Sequence, residues 1–379
     1  MNKPQYYLFT VVAILVLVIS ACAPATVVVT EPPVPTEPPP TEAPATDTPT
    51  EAPVTEAATT TSEPPTATPP PPPNCERLPN APEAPAAGDL GSAENPIVIT
   101  FVPSGDTGKI TTAGTAIAEC LSEMTGLSFD MEVGTSFAAS IEAMGAEQAQ
   151  VGFLNTFSAL LAQAKYGVDP ALVAIRKYAT NELDPDNALS GELQPFYKAQ
   201  FIANADSGIE SFADLKGKTF CFVDPNSTSG YIVPRIILAA NGINPDTDFA
   251  ATVNAGSHPN VAIAVYQGDC DAGVTFINVL TDTAANLQAT YPDITDKVKV
   301  FAVSDRIPND GMQFIKSLDP ELKELITQGM LAMAEDPGGK AVLKSLYNYD
   351  AFQQVDPTFY GEFLAVLQAA GVDPASLVK

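Results

Sequence analysis

From Ile97 onward, apolar runs of strand length alternate with apolar positions at helical spacing. Ile97 to Val102 reads as a strand, Ile110 to Thr125 as a helix, Phe129 to Val133 as a strand and Ala138 to Met144 as a helix. Val151 to Leu154 and Phe157 to Lys165 repeat the unit, and Leu172 to Ile175 fits a fourth strand. Tyr178 to Gln194 is polar and reads as a surface excursion. A second series starts at Ala199 to Ala203, passes a short helix within Ser211 to Lys218, and reaches a strand at Thr219 to Val223. Further strands are expected at Phe249 to Val253, Ala272 to Phe276 and Val298 to Val303. Beyond these the pattern turns wholly helical, at Pro320 to Ala334, Gly338 to Tyr347 and Pro357 to Ala370. Such alternation predicts parallel sheets covered by helices, arranged as two α/β lobes. Residues 96–197 with 304–379 would form lobe 1, and 198–303 lobe 2. Open α/β sheets bind ligands at the carboxyl ends of their strands, so the site belongs between the lobes.

Before Pro96 the pattern is different. Lys3 followed by the apolar stretch Leu8 to Ile19 reads as an export signal covering residues 1–22, too short to span a bilayer comfortably. Ile19-Ser20-Ala21-Cys22 resembles the lipobox of bacterial lipoproteins, which implies acylation of Cys22. From 23 to 95 the chain holds 20 of its 36 prolines, many Thr and Glu, and no Phe, Trp or Tyr. That composition cannot bury a core and predicts a disordered tether.

The whole chain carries 45 acids against 18 bases, net −27, and residues 96–379 carry 34 against 16. A field of that sign argues against nucleic acid and against anionic membrane surfaces as partners, leaving the N-terminal lipid as the membrane attachment. A small anion is not excluded, because local amides and one cation can dominate inside a closed cleft. With Cys22 acylated, Cys75, Cys120, Cys221 and Cys270 allow three pairings in an exported chain. Cys221 and Cys270 lie on or beside strands that, as neighbours, would bring them together; whether Cys75 and Cys120 pair is left open. A single histidine and no CxxC pair leave little for a metal, and no cofactor is expected.

The strand-to-helix turns carry the candidate chemistry. Asp224-Pro225-Asn226-Ser227-Thr228-Ser229-Gly230-Tyr231 sets hydroxyls where a helix begins, with unpaired N–H groups and the positive end of the dipole. The same hydroxyls are ordinary N-caps. His258, in Gly256-Ser257-His258-Pro259, follows a strand in the same way, and a protonated ring would add positive charge. In lobe 1 the equivalent turns offer Ser136 and Phe137, then Asn155 and Thr156. Thr135 and Ser136 fit either anion binding or capping. Asp271 or Asp310 would accept from a protonated ligand oxygen. No Gly-x-Ser-x-Gly elbow, HExxH or Walker loop is present, so an enzyme is not expected.

The Ser227-Thr228-Ser229-Gly230-Tyr231 turn, Gly256-Ser257-His258, and Gly268-Asp269-Cys270-Asp271-Ala272-Gly273 together resemble the solute-binding proteins of phosphate, phosphite and phosphonate ABC transporters. Asp214-Leu215-Lys216-Gly217-Lys218 marks the wider superfold of periplasmic binding proteins. The resemblance implies a type II periplasmic-binding-protein fold: two α/β lobes joined by two crossover strands and closing on an oxyanion. It implies that Ser227, Thr228, Ser229 and His258 hold phosphonyl oxygens, and that the partners are a small phosphorus oxyanion and an ABC permease with its ATPase. A monomer at the extracytoplasmic face is expected. The alternatives are a sensor module or an enzyme on the same fold. The chain departs from the family's pattern at Phe137, often Tyr, and at Asn278, often an acid, which points to phosphite, methylphosphonate or phosphate over an aminoalkylphosphonate.

Overall fold

The computed structural model describes residues 69–186 and 191–377. The expected export signal, Cys22 and most of the expected tether lie outside the described residues. In chain order the strands are β1 (Ile97–Phe101), β2 (Phe129–Val133), β3 (Val151–Leu154), β4 (Asp169–Lys177), β5 (Leu193–Gln194), β6 (Phe196–Tyr197), β7 (Ala199–Asn204), β8 (Thr219–Phe222), β9 (Ala251–Asn254), β10 (Ala272–Phe276), β11 (Val298–Val303), β12 (Ile307–Pro308), β13 (Gly311–Phe314) and β14 (Ala351–Gln354). The helices are α1 (Thr107–Thr125), α2 (Phe137–Gly145), α3 (Thr156–Tyr166), α4 (Val233–Ala240), α5 (His258–Gln267), α6 (Leu287–Thr290), α7 (Ile294–Lys297), α8 (Pro320–Glu335), α9 (Pro337–Tyr347) and α10 (Gly361–Ala369).

Two sheets form the two lobes. The first has the order β14-β4-β13-β3-β1-β2, with β5 beside β4, and the second β11-β7-β10-β8-β9. Neither sheet is wholly parallel. β1 runs parallel to β2 and β3, but β13 and β14 run antiparallel to their neighbours. In lobe 2, β8 runs parallel to β9 and β10, while β7 opposes both β10 and β11. The antiparallel strands are explained by the connections: β7 enters lobe 2, and β13 re-enters lobe 1, from the hinge. A two-stranded ribbon of β6 and β12 carries the chain across, pairing Tyr197 with Ile307 and Phe196 with Pro308.

The stretch after Val303 is not wholly helical, because β13 and β14 lie within it. All four β13 residues are buried, yet Gly311 and Gln313 interrupt the apolar run that usually marks so short a buried strand. Gly311 is required there by close approach: a Cβ would sit 1.9 Å from the Leu172 carbonyl oxygen. The last part of the expected tether is also ordered. Cys75 is disulfide-bonded to Cys120 on α1, Leu78 N–H donates to Met124 O (2.8 Å), and Ser128 N–H donates to Gly91 O (2.7 Å). Residues 74–95 are thus a surface strap on lobe 1. Low aromatic content rules out a core of its own but not attachment to a neighbour's.

Candidate functional site

Lobe 2 presents two turns to the cleft from adjacent strands. After β8 the chain is folded back by Asn226 N–H to Asp224 Oδ1 and by Ser227 N–H to Asp224 O, each 2.8 Å. Ser227 then caps a π-type turn, Thr228–Ile232, its Oγ accepting from Gly230 N–H at 3.1 Å. Gly230 packs against the end of β8, where a Cβ would meet the Val223 side chain at 2.3 Å. A bulkier residue would push the hydroxyls off the strand end. The disulfide between Cys221 and Cys270 ties β8 to the start of β10, and these strands pair directly.

The second turn ends at Ser257, the N-cap of α5, and His258 is the first residue of that helix. His258 is buried, its Nδ1 accepting the Phe276 N–H at 3.0 Å and its Nε2 lying 3.5 Å from Ser227 Oγ. An accepting Nδ1 carries no proton, so the neutral ring holds its hydrogen on Nε2, facing the cleft. Burial, helped by the nearby Arg176 charge, pushes the His258 pKa down to about 3. At neutral pH the ring is therefore an uncharged donor, and the added charge of a protonated ring is not available there.

Lobe 1 closes the cavity from the other side. Ser136 caps α2 through Ala139 N–H (3.1 Å), and the fully buried Phe137 walls the cavity. Asn155 caps α3 through Ser158 N–H (2.8 Å) and crosses the cleft with its Nδ2 to Asn226 O (3.0 Å). Two more bonds join the lobes: Phe157 N–H donates to Thr228 Oγ1 (2.8 Å) and His258 N–H to Ser104 O (3.2 Å). The conformation is closed.

Six of the expected residues, Ser227, Ser229, His258, Phe137, Asn155 and Asp310, line one cavity of about 40 Å³. Thr228, Ser136 and Thr156 lie beside it but do not line it. Thr228 bonds α3, Ser136 caps α2, and the Thr156 hydroxyl donates to Pro308 O on the crossover ribbon (2.7 Å). Asp271 is misplaced in the sequence reading. It precedes β10, whereas the cavity meets that strand at its other end, Phe276. Its carboxylate accepts from Thr219 N–H (2.8 Å) and its carbonyl from Asn204 N–H (3.0 Å), tying three strands together.

What pattern reading missed is a charged cluster on the opposite wall. Arg176, near the end of β4, pairs through Nη2 with Asp310 Oδ1, and Asp310 Oδ2 accepts from the Tyr349 hydroxyl at 2.9 Å. The guanidinium lies 4.9 Å from the Tyr349 ring centroid and 5.7 Å from that of Tyr197. Asp282 also reaches the cavity, accepting from Ala285 N–H (2.8 Å) and Asn348 Nδ2 (2.6 Å); burial pushes its pKa up. A base directly after the apolar run Ala171 to Ile175 was the one available signal for Arg176. Asp310 was noticed as an acceptor but had no place until β12 and β13 were found.

The geometry around His258 does not form a nucleophile relay. His258 Nδ1 receives a backbone hydrogen instead of donating to a carboxylate, and Asp271 lies across the length of β10, so no Ser-His-Asp relay exists here. A ring with so low a pKa is also a poor general base at neutral pH. Fold and site define a two-lobed binding protein of the type II periplasmic class, with its ligand cavity between the lobes.

The family model for the periplasmic substrate-binding protein of phosphonate ABC transporters matches residues 99–360. The phosphate-import protein PhnD of Mycolicibacterium smegmatis is 26% identical over 233 residues, 60% of this chain and 68% of that one. The phosphonates-binding periplasmic protein of Escherichia coli is 34% identical over 156 residues, 40% of this chain and 45% of that one. Among solved structures, a binding-protein component of a phosphonate ABC transporter from Pseudomonas aeruginosa aligns with a TM-score of 0.61 at 24% identity, covering 73% of this chain and 87% of the other. PhnD1 of Prochlorococcus marinus, solved with methylphosphonate, gives 0.60 at 16% identity over 73% and 98%. At these identities the two structures speak for the fold alone. The chain belongs to the family of periplasmic substrate-binding proteins of phosphonate ABC transporters.

Proposed function

We propose that this protein captures a small phosphorus oxyanion, namely phosphite, methylphosphonate or phosphate, between its lobes and delivers it to an ABC permease. The observation that carries the reading is the convergence of the Ser227 and Ser229 hydroxyls and the His258 Nε2–H on one cavity. A desolvated anion loses its hydration shell, and short bonds from neutral donors at a helix start replace it. Size supports the small ligands. The cavity, about 40 Å³, has room for a tetrahedral oxyanion with a short substituent. Phe137 and Phe276 give that substituent an apolar wall. Asp282, whose burial favours its neutral form, suits a shared proton with a P–OH group.

In this reading the mature chain is a monomer held at the extracytoplasmic face by lipid on Cys22. The signal segment before Cys22 is removed, and the proline-rich segment up to the strap is a spacer. Calorimetric titration of the soluble chain with phosphite, methylphosphonate, phosphate, sulfate and nitrate tests the ligand class. One-to-one binding of a phosphorus anion, with sulfate and nitrate far weaker, is the expected result; sulfate or nitrate binding without any phosphorus anion defeats it. Loss of membrane retention on Cys22→Ser tests the anchor.

A further inference from the structure

Resting on the oxyanion reading above, we propose that Arg176 is a specificity residue: its guanidinium is a resident cation that keeps positively charged substituents out of the cleft. Arg176 borders the same cavity as Ser227, Ser229 and His258. It cannot swing away, because Asp310 holds one nitrogen and the rings of Tyr349 and Tyr197 lie against the guanidinium. Its Nε is buried and has no hydrogen-bond partner among the described residues, so the group keeps donor capacity at the cavity.

Two carboxylates, Asp310 and Asp282, border the cavity as well. Left alone, they would form an attractive pocket for an ammonium group. Each carboxylate oxygen already accepts from the protein: those of Asp310 from Arg176 and the Tyr349 hydroxyl, those of Asp282 from the Ala285 N–H and the Asn348 amide. A ligand amine would find no carboxylate oxygen lacking a donor and would face a like charge in a water-excluded space. Hydrogen and short alkyl substituents meet no such penalty, since Phe137, Phe276 and Leu346 also line the cavity. The acids remain, but the cation they would recruit is built into the chain.

Ethylphosphonate and aminomethylphosphonate separate charge from size, because they have the same number of heavy atoms and differ only in a terminal methyl or ammonium. Titrations at about pH 8.5 compare them with phosphonyl groups largely dianionic and the amine still protonated. The wild-type chain is expected to bind ethylphosphonate at least about tenfold more tightly. Arg176→Met uncovers the two acids, and the order should reverse in favour of the amine. The double variant Arg176→Met/Asp310→Asn removes both charges of the pair; its ratio should fall to near one, and it serves if the single variant does not fold. A merely structural arginine would weaken both ligands together and leave the ratio unchanged. Equal wild-type affinities, an unchanged ratio in the variants, or a wild type that takes methylphosphonate but neither probe would each overturn the inference. A wild type that binds no phosphorus oxyanion at all defeats the function proposed above instead.

Discussion

The strand-end turns of lobe 2 meet the cavity with neutral groups, whereas the wall around Arg176, built by lobe 1 and the hinge, meets it with a charged pair. The first wall is two consecutive strand-to-helix turns, each stabilised by its own caps and by backbone bonds a few residues away. The second is assembled from Arg176 on β4, Asp310 after β12 and Tyr349 after α9, positions far apart in the chain. The neutral wall can donate to an anion without requiring a buried, uncompensated cation. The charged wall is closed on itself, its arginine and aspartate balancing each other, and so it selects by repulsion more than it attracts. Binding and selectivity are thus carried by different parts of the molecule and should respond separately to mutation.

Breaking the charged pair should have the largest effect. Arg176 and Asp310 are about 15% and 13% exposed at the side chain, and Arg176→Met or Asp310→Asn alone leaves a buried charge unmatched. A loss of about 3–5 kcal/mol in unfolding free energy is expected for either, with much of it recovered in the double variant. Urea denaturation of the three variants checks this. The neutral wall should show the opposite behaviour: Ser229→Ala or His258→Ala should weaken oxyanion binding by about 1–3 kcal/mol each, read by calorimetry, with a smaller loss in stability for Ser229→Ala.

A smaller effect follows from the histidine. With its pKa pushed down to about 3 in the folded protein, against about 6.5 when unfolded, protonation favours the unfolded chain. Its contribution to stability is complete above about pH 6.5. It declines as pH falls toward 3, by at most about 1.4 kcal/mol per pH unit for one proton. His258→Gln should flatten that part of the profile between pH 6 and 4 by about that slope, measured as the difference from wild type in urea midpoints. The least effect on affinity is expected for Asp271→Asn, which should change oxyanion binding by less than about 0.5 kcal/mol, because Asp271 serves the sheet and not the cavity.

The same contrast explains how much of the molecule is legible in its sequence. Turns are local, so Ser227, Ser229 and His258 are visible as hydroxyls and an imidazole at strand ends, and the family resemblance rests on them. The Arg176 cluster depends on which strands become neighbours, and that depended on β13, a four-residue strand buried on both faces and containing Gly311 and Gln313. Missing it also made the sheets look wholly parallel. Asp271 was misassigned for a related reason: a residue beside a functional turn in sequence can lie at the wrong end of the next strand. The hydroxyls of Thr156 and Thr228 stand at strand ends beside the cleft, but whether such a hydroxyl faces a ligand or bonds a neighbouring element is a matter of distances.

The chain contains one histidine, so its imidazole gives a single set of nitrogen signals in a long-range ¹⁵N–¹H NMR spectrum. Recorded at neutral pH without ligand and then with saturating phosphite, methylphosphonate or phosphate, that spectrum tests the neutral-donor cradle directly. The expected result is a neutral ring with its proton on Nε2 throughout, and a downfield shift of that proton when the oxyanion accepts from it. A ring protonated on both nitrogens in the free protein, or an Nε2–H signal unmoved by a bound oxyanion, would contradict the account.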